Sequence, residues 1–91
     1  MKKVTLQVDA VIANFVPMQE WLLEIVGKPL PYEYEVYEKN KRLKKFYELD
    51  DYKWCKIVDL GNTDYYFKDN KHAMLFKLTW GWYYEFGKDY L

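Results

Sequence analysis

Cysteine and histidine each occur once in the 91 residues, as Cys55 and His72. A single thiol excludes an intrachain disulfide, and one Cys with one His cannot supply the four ligands of a structural zinc site without carboxylates from elsewhere. Glycine is almost as scarce. The four glycines stand singly, so no glycine-rich loop is available to cradle a phosphate. Net charge is lacking too, because fourteen basic and fourteen acidic side chains cancel, whereas domains that bind duplex nucleic acid through overall charge are strongly basic. No apolar run reaches the roughly 18 residues of a membrane span. Thr5, Gln7 and Asp9 interrupt the beginning of the chain, where a signal peptide needs an apolar stretch. The expectation is a soluble cytoplasmic protein, not an enzyme, with no metal or cofactor. Cys55 then reads as a packed thiol and His72 as an exposed residue in the first turn of a helix.

What the chain has in abundance is rings: ten Tyr, four Trp and five Phe. Tyr and Trp combine large apolar area with a polar handle and few rotatable bonds, which suits recognition by contact. At this length there is room for one domain, residues 1–91, and a chain of this size buries only about 60% of the surface its unfolded form exposes. With 51% hydrophobic residues a core is assured. One small core is not expected to enclose nineteen rings, so some should line a partner or homodimer interface.

Lys3 to Val11 alternates, with Val4, Leu6 and Val8 on one face, and predicts a first strand. Pro17 suits the first turn of a helix in which Met18, Trp21, Leu22, Ile25 and Val26 repeat at helical spacing until Gly27 stops it. Lys28-Pro29-Leu30-Pro31 breaks the chain, and Tyr32 to Tyr37 alternates as a second strand. Glu38 to Asp51 fits either a short helix or a long charged hairpin, and the hairpin is the preferred reading. Tyr52 to Leu60 predicts a third strand, with Trp54, Lys56, Val58 and Leu60 facing one way and Cys55, Ile57 and Asp59 the other. A turn at Gly61-Asn62-Thr63-Asp64 leads to a short strand, Tyr65-Tyr66-Phe67. Asp69 or Asn70 can then cap a helix with Ala73, Phe76 and Trp80 on one stripe and Gly81 at its end. Strict alternation of Met74, Phe76, Leu78, Trp80 and Trp82 also fits a strand, but the cap and terminal glycine favour the helix, followed by a last strand over Trp82 to Phe86. The sum is an α+β fold: an antiparallel sheet of four to five strands with two helices on one face, a ferredoxin-like variant.

Two charged constellations stand out. Lys39, Lys41, Arg42, Lys44 and Lys45 place five cations within seven residues beside Phe46 and Tyr47, a composition that can follow a phosphate backbone while bases stack on rings. Glu33, Glu35, Glu38, Glu48, Asp50 and Asp51 flank it and offer charge balance, which makes a solvated surface the plainer reading. Conversely, Tyr32 to Glu38 and Glu48 to Tyr52 mix acids with Tyr and could occupy a partner's nucleic-acid groove.

The run Tyr65-Tyr66-Phe67-Lys68-Asp69-Asn70-Lys71-His72-Ala73-Met74-Leu75-Phe76-Lys77-Leu78-Thr79-Trp80-Gly81 resembles a segment of small accessory proteins of tailed bacteriophages. There an aromatic strand leads through an Asp/Asn turn to a helix with Ala, Phe, Leu and Trp. The resemblance covers about 17 residues, concerns packing positions, and carries over no functional site. It implies a small viral protein that binds and blocks or redirects a bacterial host or defence protein by occlusion, in the host cytoplasm. Tyr34, Tyr37, Tyr83 and Tyr84, in expected edge segments, are the candidate protein-binding anchors. The alternatives are an RNA or single-stranded DNA binder using Lys39, Lys41, Arg42, Lys44 and Lys45, and a minor virion or assembly component.

Overall fold

The computed structural model describes residues 2–32, 38–59 and 61–81. The first strand, β1, covers Lys3–Gln7 and stops four residues earlier than its alternation suggested. From Val8 the chain turns into helix α1, Val8–Ala13, because Asp9 favours the first turn and Val11 gains burial only by helical rotation. Asn14 breaks the helix for one residue. Helix α2, Phe15–Trp21, carries Pro17 in its first turn as expected and continues into a widened π turn, Leu22–Val26, closed by Gly27 N–H donating to the Leu22 carbonyl at 2.9 Å. Gly27 ends it at φ 131°, a conformation side chains resist.

Residues 39–48 form helix α3, Lys39–Glu48, not the preferred charged hairpin. Phe46 is sealed on its inner face with Arg42 one turn before it, and Leu43 and Leu49 lie half-buried beside them. That stripe at helical spacing outweighs the charge pattern that suggested a hairpin. Strand β2, Trp54–Asp59, pairs antiparallel with β3, Asn62–Phe67, through a register that joins Asp59 to Asn62. The turn is therefore tighter than Gly61 to Asp64, with Gly61 at φ 75° as its left-handed residue and β3 beginning at Asn62. Helix α4, Asn70–Phe76, starts where expected: the Asp69 carboxylate accepts from Lys71 N–H at 2.8 Å. A second π turn, Lys77–Gly81, completes it, so the strand reading of this segment is set aside.

The three described strands lie in the order β1-β3-β2, all antiparallel. Strands expected over Tyr32 to Tyr37 and Trp82 to Phe86 fall outside the described residues, except Tyr32, which sits in a turn. One sheet face presents Val4, Leu6, Trp54, Tyr65 and Phe67 to the helical layer of α1, α2 and α4, where Met18, Leu22 and Phe76 are fully enclosed. Phe76 packs its ring 4.7 Å from Tyr65 and 5.2 Å from Phe67, and Trp54 ties the layers by donating to the Gly27 carbonyl at 2.8 Å. Two helices on one face was the expectation. Among the described residues three helices, α1, α2 and α4, share that face, and the fourth, α3, covers the opposite one, where Leu30 and Phe46 pack on Cys55 and Tyr66.

Candidate protein-binding surface

Tyr34, Tyr37, Tyr83 and Tyr84 all lie outside the described residues. The basic segment is described in full, and α3 divides it. Arg42 points inward, nine-tenths buried and more: its Nε donates to the Lys56 carbonyl at 3.2 Å, and its terminal nitrogens donate to the Pro31 and Leu30 carbonyls at 2.9 and 3.3 Å. It bolts the Leu30–Pro31 connection to the edge of β2 and presents no charge to a phosphate. Lys39 reaches the buried carboxylate of Asp64 at 3.8 Å; Lys3 approaches the same group at 3.8 Å and Thr5 donates to it at 2.6 Å. Lys44 pairs with Glu48 across one turn at 4.0 Å. Lys41, Lys44 and Lys45 share one outward depression with Glu48, while Lys39, also exposed, leans to Asp64.

The rings go chiefly to the interior. Of those described, Trp54, Tyr65, Tyr66, Phe67, Phe76 and Trp80 are buried with Phe46, while Phe15, Tyr32 and Tyr47 are exposed. The exposed apolar surface is instead largely aliphatic. Ile12, Val16, Leu23, Ile25, Leu75 and Leu78 are open to solvent on the helical layer, with Met74 beside them. Contiguous exposed apolar area of this kind is uncommon on a small chain.

At the β2 border of that layer one charged side chain occupies a position the pattern reserves for apolar ones. Lys56 projects from the same face as Trp54 and Val58, opposite Tyr65 in the register, toward α2. Its ammonium lies 5.0 Å from the centroid of the Phe15 ring, within cation–π range. No carboxylate among the described residues pairs with it, and its proton affinity is lowered, first by desolvation and second by the neighbouring Arg42 guanidinium. A shallow cleft opens beside it, walled by Gln19 of α2, Pro29 and Pro31 of the connection, Tyr32, Trp54 and Arg42. Phe15 and Tyr32, the latter 71% exposed, stand beside this cation, with Val58 next on the same face of the strand. The arrangement offers an incompletely compensated positive charge framed by exposed apolar groups, a combination suited to receiving a carboxylate with apolar neighbours.

Sequence reasoning missed Lys56 as a site although its signal was present: a lone lysine between Trp54 and Val58 on the inward row of a strand. The other shifted groups are structural. Burial pushes the Tyr65 phenol up to about 12. It also raises the Cys55 thiol, against a smaller opposing effect of Arg42, and Cys55 is fully enclosed, consistent with a packed thiol. Lys68, whose proton affinity is lowered by desolvation, donates its ammonium to the Leu49 carbonyl and lies over the Phe46 ring at 5.0 Å. Among the described residues no group of three or more His, Cys, Asp or Glu is placed to hold a metal, and no helix is long and apolar enough to cross a membrane. Comparison of the chain with protein-family models, curated proteins and solved structures finds no match.

Proposed function

We propose that this chain is a non-enzymatic binding protein that docks on another protein through the Lys56 corner and acts by occlusion. The half-buried Lys56 beside exposed Phe15 and Tyr32, with no carboxylate among the described residues to neutralise it, carries this reading. A partner that inserts an Asp or Glu flanked by apolar residues would discharge the desolvation cost of that lysine and cover the rings beside it. In the reading that follows from the likeness of residues 65–81 to tailed-phage accessory proteins, the partner is a bacterial host or defence protein and the site of action is the host cytoplasm. Tyr34, Tyr37, Tyr83 and Tyr84 are the further anchors that this reading expects.

The same proposal includes the finer fold. The order β1-β3-β2 with α2 and α4 on one face is compatible with a ferredoxin-like sheet. Such a sheet needs one or two strands beyond the three described, four to five in all.

Capture from bacterial lysate tests the reading. Wild-type chain should retain a nuclease-resistant protein, and Lys56→Met should lower its retention about tenfold or more while the circular dichroism is unchanged. Equal retention by both forms would contradict it. A second reading, RNA or single-stranded DNA binding, is favoured by the shared outward face of Lys41, Lys44 and Lys45 on α3; it expects co-purifying nucleic acid whose affinity falls steeply between about 50 and about 200 mM salt. A minor virion component would capture neither.

A further inference from the structure

The outer face of the helical layer lies beyond the Lys56 corner and has its own chemistry. We infer that it is a self-complementary surface on which two copies of this chain pair about a twofold axis, α2 of each against α4 of the other. The outward stripe of α2 and its π turn reads Val16, Glu20, Leu23 and Glu24; that of α4 reads Lys71, Met74, Leu75 and Leu78. All of these are exposed, Val16 at 63% and Leu78 at 74%. Their opposite sides hold Met18, Leu22, Ala73 and Phe76 in the core, so among the described residues the outer stripes face away from it.

The charge arrangement selects a second copy of this chain. One stripe carries only acids between its aliphatic residues, and the other carries a lysine at its start. Val26, at the end of the π turn that follows α2, lines the same concavity as Asn70 and His72, at the beginning of α4. Glu24 and Lys71 therefore sit at the same end of the layer. A twofold axis between the helices and parallel to them lays α2 of one copy along α4 of the other with levels preserved. Glu24 then meets Lys71, Leu23 meets Leu75, and Val16 approaches Leu78, each contact made twice as an isologous interface requires. The aliphatic residues supply burial, and the charge pair fixes which helix faces which. A copy rotated to set α2 on α2 would bring Glu20 and Glu24 against their own kind.

Sedimentation equilibrium over a concentration series tests this. Wild type should approach twice the 11.2 kDa chain mass, and Leu78→Asp, at an exposed position that leaves the fold intact, should weaken pairing by about a hundredfold. Glu24→Lys and Lys71→Glu should each weaken it about three- to tenfold, and the variant carrying both should recover most of the loss because the pair is reversed. A mass of one chain up to about 1 mM, or a dimer indifferent to Leu78→Asp, would overturn the inference; so would additive losses in the doubly exchanged variant. Retention of a lysate protein by a strictly monomeric chain would leave the Lys56 reading standing, whereas a dimer retaining nothing would do the reverse.

Discussion

Arg42 shows how one side chain can look like a ligand-binding cation and serve the fold instead. Its planar fork reaches three backbone carbonyls from a nearly sealed position, a geometry lysine cannot reproduce. Arg42→Met should cost about 3 kcal/mol in a urea unfolding titration by leaving those carbonyls unpaired, and Arg42→Lys should recover less than half of that. Unchanged stability in Arg42→Met would remove the bolting role. Tyr65 gives the second residue-scale outcome. Its phenol holds its proton to about pH 12 in the folded chain against about 10 when unfolded. Above pH 10 the unfolded state releases that proton first, so stability present below pH 10 is lost as pH rises toward 12, by about 2–3 kcal/mol in full. Tyr65→Phe should flatten that alkaline slope in melts taken between pH 9 and 12, and an identical slope in both proteins would refute the assignment.

At the scale of elements, the ends of the helices carry their stability in identifiable residues. Asp69→Ala removes the side-chain acceptor for Lys71 N–H and should cost about 1 kcal/mol. Gly27→Ala imposes a side chain at φ 131° with its Cβ 3.0 Å from the Lys53 side chain, and should cost on the order of 1–3 kcal/mol. Chemical denaturation checks both, and a neutral Gly27→Ala would mean that the α2 terminus relaxes freely. These caps were legible because Asp and Gly act through local backbone geometry. The stretches that misled did so for a physical reason. Residues 39–48 hide an amphipathic helix because its inward stripe includes Arg42, a charged residue that periodicity counts as solvent-facing. Residues 74–80 admit a strand beside the preferred helix because Met74 and Leu78 are apolar yet exposed, so both faces look hydrophobic. That ambiguity is itself the trace of the uncovered surface on α4.

For the molecule as a whole, abundance of rings was a weaker guide than their placement. Trp54, Tyr65, Phe67 and Phe76 fill the space between the sheet and the α2 and α4 layer, and Phe46 with Tyr66 fills the space under α3. The exposed apolar surface of the described residues is aliphatic on the helices, with Phe15, Tyr32 and Lys56 at its β2 border. The α+β class and antiparallel pairing followed from alternation and turn residues, while the helix on the second face depended on long-range burial that no local window contains. The sequence marks Lys56 only as a lysine on the inward row of β2; its surroundings depend on Phe15 and Arg42 arriving from elements distant in sequence. Amide hydrogen exchange of the chain, alone and with its captured partner, tests the central claim most directly. Protection gained on binding should concentrate at Trp54 to Val58 and around Phe15; protection confined to Lys39 to Glu48, or none at β2, would contradict it.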